Sequence, residues 1–201
     1  MAGRRARKSF TLRGYGSPMM SNFKEYFSAY AAHGAWANDL IFESLRHVSD
    51  GDYHRVLLPG IRNMHDLLNH MIIMDELWLG EITLSPRIDI KSGHDVPYAD
   101  RALVEQIRRS VDRKLEQVFG ELDEAVLAGP IQYEEYTLRW PMWVEIAHIF
   151  RHQTHHRGQM SALIGALGLE PPKLDPMFLP PRAAAKGEVY VGAEVRKAVY
   201  G

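Results

Sequence analysis

Apolar residues recur at three- and four-residue steps through four long stretches of the chain, the spacing that places side chains on one face of an α-helix. In the first, Phe23, Tyr26, Phe27, Tyr30, Trp36, Leu40, Ile41 and Leu45 predict a helix over roughly 22–47. Ser49-Asp50-Gly51-Asp52 stops it, and Pro59-Gly60 precedes the next element. Met64, Leu67, Leu68, Met71, Met74 and Trp78 mark a second helix ending near Ile82. Leu103, Ile107, Val111, Leu115, Val118, Phe119 and Leu122 mark a third, from about Tyr98 to Ala128. The fourth starts around Pro141 and runs to Leu167, closed by Gly168. Between the third and fourth, residues 129–138 are too aromatic and β-branched for a good helix and predict a short extended excursion or hairpin. Four helices with a core-facing stripe each imply an all-α fold, a four-helix bundle.

Length and composition agree with a single domain. The 201 residues suffice to bury a core without disulfides or a metal staple. Cysteine is absent, which removes thiolate ligands and a cysteine nucleophile and fits a reducing, cytoplasmic setting. Net charge is −1. Residues 1–18 hold Arg4, Arg5, Arg7, Lys8 and Arg13 with no acid, so the remainder carries −6. That argues against nucleic-acid binding by the folded body. The basic leader, 1–18, has no apolar signal core and reads as a disordered extension. No run of eighteen apolar residues points to a membrane. The bundle is expected over 19–182. Residues 170–182 hold five prolines, and 183–201 are a weakly patterned tail.

Candidate chemistry concentrates in the fourth helix, where His148, His152, His155 and His156 fall within nine residues. With about 100° per residue, His156 stands near +40° from His152, His148 near −40° and His155 near −60°. Two imidazoles one turn apart can reach a single cation, which makes His152/His156 the first candidate pair. On spacing alone, His148 or His155 could replace a member, and surface histidines without a metal are equally compatible. Glu145 and Gln159 share the ligand face. Glu145 is a candidate hydrogen-bond acceptor or base. Gln159 is a candidate substrate contact, with core hydrogen bonding the plainer role. In the second helix His70 lies beside the apolar stripe, while His65 is about 140° away from it and belongs elsewhere. Asp75 is also about 140° from His70 and is expected to pair with a cation such as Arg157. The four tryptophans and Met64, Met71 and Met74 read as core.

Three motifs appear in order: Trp36-Ala37-Asn38; Leu68-x-His70-x-x-x-x-Asp75-x-x-Trp78-Leu79; and His152-x-x-His155-His156-Arg157-Gly158-Gln159. Together they resemble the DinB/YfiT-like superfamily, over about Met20 to Pro180. The resemblance implies an up-down-down-up bundle, a homodimer, and a divalent metal bound by His70, His152 and His156. Zinc, nickel and iron(II) all suit imidazole. It also implies chemistry with low-molecular-weight thiols such as mycothiol, bacillithiol or glutathione: the metal lowers the thiol pKa and the sulfur attacks a small-molecule electrophile. Arg151, Arg157 or Arg182 could then supply a basic rim for an anionic cofactor. The competing expectations are a non-catalytic metal-binding stress or scaffold protein acting through a partner, and a plain helical bundle.

Overall fold

The computed structural model describes residues 23–85, 90–132 and 137–176, without the side chains of 132 and 137–140. The leader 1–18, Arg182 and the tail 183–201 lie outside these residues. Within them the elements are α1 (Phe23–Leu45), α2 (Asp50–His54), α3 (Met64–Thr83), α4 (Arg101–Glu121), α5 (Glu124–Ala128), β1 (Pro130–Gln132), β2 (Thr137–Pro141) and α6 (Met142–Ala166). The fold is predominantly helical. α1 packs on α4 and α6, and α3 packs on the same two helices.

Local chemistry explains most of the boundaries. α1 ends at Leu45, and Ser49 caps α2, its hydroxyl accepting from Asp52 N, so the segment predicted to stop α1 is itself the start of a short helix. Asn63 and Asp100 cap α3 and α4 in the same way. The third predicted helix is two: α4 ends at Glu121, and Asp123 caps a separate α5. An N-cap side chain needs extended backbone at its own position, and this interrupts the run. β1 and β2 pair antiparallel, with Ile131 opposite Leu138. Met142 N donates to Gly129 O at 2.8 Å, which fixes the first residue of α6 against the entry to the hairpin.

The buried faces differ from the predicted stripes, and the reason is chemical. α1 buries Ala31, Gly34, Ala37 and Asn38 mid-helix, while Phe23 and Tyr30 are exposed. α4 buries Val104, Arg108, Val111, Asp112, Leu115 and Phe119, leaving Leu103 exposed. Both faces are turned toward a polar network that apolar spacing cannot register.

That network joins all four long helices. Asn38 of α1 donates to both carboxylate oxygens of Asp112 on α4, at 3.0 and 3.1 Å. Arg108 pairs with Asp112 at 2.8 Å and with Asp75 of α3 at 2.6 Å. Gln153 of α6 donates to Asp75 at 2.8 Å and accepts from Arg157 at 3.3 Å. Asp75 therefore pairs with Arg108, not with Arg157 as the sequence suggests; Arg157 reaches it through Gln153. Gly34 makes room, since a Cβ there would stand 3.1 Å from Gln153 Oε1. Burial pushes the Asp75 carboxyl up against the opposing pull of Arg108. Burial opposes the Arg108 charge as well, but Asp112 and Asp75 outweigh it and hold the guanidinium above its ordinary value.

Arg108→Met leaves two buried carboxylates without their cation. Breaking a buried pair on one side costs about 3–5 kcal/mol, so urea unfolding should show a loss of that order. A loss under about 1 kcal/mol, the level of an exposed pair, would contradict the network's role.

Candidate metal centre

His70 on α3 and His152 and His156 on α6 bring one ring nitrogen each to within 4.8 Å of one another. His152 Nε2 stands 3.2 Å from His70 Nε2 and 3.0 Å from His156 Nε2. The spacing-based ambiguity resolves here. His155 and His148 flank the cluster, with ring centroids 4.9 Å from His156 and 6.2 Å from His152, and neither belongs to it. His65 is buried elsewhere, against Tyr53 and His54.

Hydrogen bonds fix two of the three rings. His70 Nδ1 donates to the Gly93 carbonyl at 2.7 Å, and His156 Nδ1 donates to Gln159 Oε1 at 2.7 Å. Because a carbonyl oxygen can only accept, both protons sit on Nδ1 and both Nε2 atoms present lone pairs. The loop carrying Gly93 is clamped by Asn69, whose side-chain oxygen accepts from Tyr98 N and whose amide donates to Tyr98 O. A Cβ at Gly93 would meet Met74 Sδ at 3.3 Å and the His70 ring at 3.7 Å. Trp78 meets the His152 ring edge-on at 4.8 Å and the His148 ring at 5.0 Å.

The donor set fits a cation. His152 Nε2 faces two lone pairs and carries at most one proton, so protons alone leave one of the two close nitrogen pairs repulsive. A cation among the three satisfies all of them. Imidazole nitrogens about 2.0–2.1 Å from a tetrahedral metal stand roughly 3.3 Å apart, close to the spacing found. His152 Nδ1 is the one ring nitrogen of the cluster that is buried without a partner.

All three rings are biased to the neutral form that binds metal. Burial, reinforced by the neighbouring imidazoles, pushes His152 down to about 3. Burial takes His156 to about 4, against the upward pull of Gln159. His70 is lowered by burial, with Arg62 and His94 adding to the effect and the Gly93 bond opposing it.

The other candidates take different places. Gln159 is the acceptor that orients His156. Arg151 is exposed. Arg157 is interior, only 4 % exposed, and burial lowers its guanidinium to about 10, so it stands in the core network rather than on a rim. Glu145 is half-buried at the start of α6, outside the histidine cluster. Sequence reasoning missed Arg62, Gly93 and His94, which lie in irregular segments without periodicity. It also read Trp78 only as core. For Arg108 and Asp112 a signal existed: opposite charges four apart, in phase with Val104, Val111 and Leu115.

The sequence profile of the DinB family matches residues 19–186. The chain belongs to the DinB family. It is similar to Protein DinB of Bacillus subtilis (strain 168), 25 % identical over 167 residues, covering 74 % of this chain and 88 % of that protein. Among the described residues of this family member, no helix is long and apolar enough to cross a membrane.

The lowered histidines set a pH dependence for the metal-free protein. Unfolded imidazoles take up protons below about 6.5, whereas folded His156 and His152 do so only near 4 and 3. In that window the unfolded state binds more protons, so stability present above about pH 6.5 is lost as pH falls. Urea midpoints of chelator-treated protein should drop between pH 7.5 and 4.5. In His152→Gln/His156→Gln the slope should flatten, and an unchanged slope refutes the assignment.

Proposed function

We propose that this chain is a metal-dependent enzyme in which the Nε2 atoms of His70, His152 and His156 hold one zinc, nickel or iron(II) ion, and that its reaction transfers a low-molecular-weight thiol to an electrophile. The convergence of three Nε2 atoms on one point, two of them committed as lone pairs, carries the reading. Three neutral nitrogen ligands match the set used by catalytic sites, which keep a further position for water or substrate. When bound, the cation supplies Lewis acidity that draws a coordinated thiol or water toward ionisation near neutral pH.

The chain's own residues prepare the site. Gly93 O and Gln159 Oε1 hold two imidazoles in the tautomer that presents Nε2. Such orienting partners raise ligand basicity and fix ring direction. Trp78 closes one side of His152 with an apolar ring face or edge, limiting water there. The packing of α1 and α3 each on α4 and α6 fits a four-helix bundle, for which the family resemblance implies the up-down-down-up order, with the centre between α3 and α6.

Elemental mass spectrometry on protein purified without a metal-affinity step tests the reading. We expect about one divalent ion per chain, absent from His70→Ala and His156→Ala. Gln159→Leu, which keeps all three ligands but removes the His156 acceptor, should weaken metal affinity by roughly 10–100-fold in a chelator competition. A wild-type protein that takes up no metal on reconstitution removes the proposal. A loaded protein inert toward thiols and electrophiles leaves a non-catalytic metal-binding protein.

A further inference from the structure

Beside the histidine cluster stands a cation that no acid neutralises among the described residues. Arg62, in the segment before α3, donates from Nη1 to Gly93 O at 3.1 Å, the same carbonyl that accepts from His70 Nδ1. One backbone oxygen therefore separates the guanidinium from a ring of the cluster. Arg62 Nη2 lies 2.7 Å from His94 Nδ1. The guanidinium can only donate, so His94 Nδ1 accepts and the ring proton of the neutral imidazole sits on Nε2. Of the five N–H groups on Arg62, these two contacts use two, and the other three have no protein acceptor among the described residues.

Among the described residues, Asp95 and Asp66 are committed elsewhere. Asp95, in the same loop, accepts from Lys91 N at 2.7 Å, Ser92 N at 3.3 Å and Ser92 Oγ at 3.0 Å, closing its own turn. The Asp66 carboxylate accepts from Asn63 Nδ2 at 3.0 Å, and its backbone N donates to Asn63 Oδ1 at 2.8 Å, closing the start of α3. His94 is exposed and Arg62 half-buried, so the donors left over are within reach of a ligand from solvent. A half-buried guanidinium held in place by two contacts, with a fork of free N–H groups and an imidazole N–H beside it, has the chemistry that recognises a planar carboxylate.

We propose that Arg62 and His94 form an anion subsite on the rim of the three-histidine cluster, taking the carboxylate of a small acid whose other end reaches the cluster. This rests on the metal reading above and narrows it: the substrate or cofactor is an anionic ligand. Gly93 is the joint of the device. Its missing side chain lets the loop touch His70, and its carbonyl places the subsite and the cluster in fixed register.

The test uses the full chain loaded with cobalt(II), titrated with 3-mercaptopropionate and with its neutral isostere 3-mercaptopropanamide, reading the thiolate-to-cobalt absorption band. In wild type the acid should bind about tenfold or more tightly than the amide, the size of a charge-assisted hydrogen bond. Arg62→Gln should erase that ratio while leaving the cobalt spectrum and amide affinity in place. Arg62→Lys should keep part of it, and His94→Leu should lower it. Equal affinities in wild type, or a ratio that survives Arg62→Gln, overturns the subsite and leaves the metal centre standing. If Arg62→Gln loses cobalt, the ratio in Arg62→Lys and His94→Leu decides by the same criterion. A wild-type protein with no cobalt spectrum overturns the metal centre and the subsite together.

Discussion

Burying Asp75, Arg108, Asp112 and Arg157 in one interior is the constraint around which this fold is arranged. Each charge loses its water, a penalty of several kcal/mol per ion unless partners are placed to meet it. The chain meets it with a continuous line from Asn38 through Asp112, Arg108, Asp75 and Gln153 to Arg157, drawing on every long helix. A hydrophobic seam tolerates small slips, because oily contacts exchange with little loss. Paired charges do not, since a displaced partner leaves an ion unmet. The line thus fixes how far α6 slides along α3. Gln153 is the neighbour of His152, and Asp75 lies on the same helix as His70, so the register that satisfies the ions also sets the distance between the histidines.

The histidine cluster depends on a second constraint, the direction of protons. Two of its rings hand their Nδ1 protons to oxygen, which leaves lone pairs crowded about His152 Nε2. Burial disfavours protonating the rings, so protons do not relieve this crowding, whereas a cation placed among the three nitrogens would. Loop 90–98 matters as much as the helices here. Asn69 binds it down, and the same loop carries His94 and holds Arg62 through Gly93 O.

Much of this was legible in the sequence, for reasons that can be named. His152 and His156 declare themselves by four-residue spacing on a strongly helical segment. His70 does not, because a histidine beside an apolar stripe looks like any boundary residue, and only resemblance to the DinB family singles it out. The α1 and α4 faces were read slightly rotated: Leu103 was expected inside and Arg108 was not. Apolar periodicity counts oil, whereas Arg108 and Asp112 occupy core positions by neutralising one another. Arg62 and Gly93 meet across 31 residues of separation, both in irregular backbone, and no local pattern encodes such a contact.

Trp78 adds a property of another kind. Its indole touches two imidazoles, one of them His152 of the cluster, at ring separations of 4.8 and 5.0 Å. Emission from an indole at this range is quenched by a paramagnetic ion such as nickel(II) or cobalt(II) and left largely intact by zinc(II). An ion held by these histidines would therefore sit beside an indole, and the Trp78 share of the chain's tryptophan emission would report both its arrival and its identity, without any dye attached.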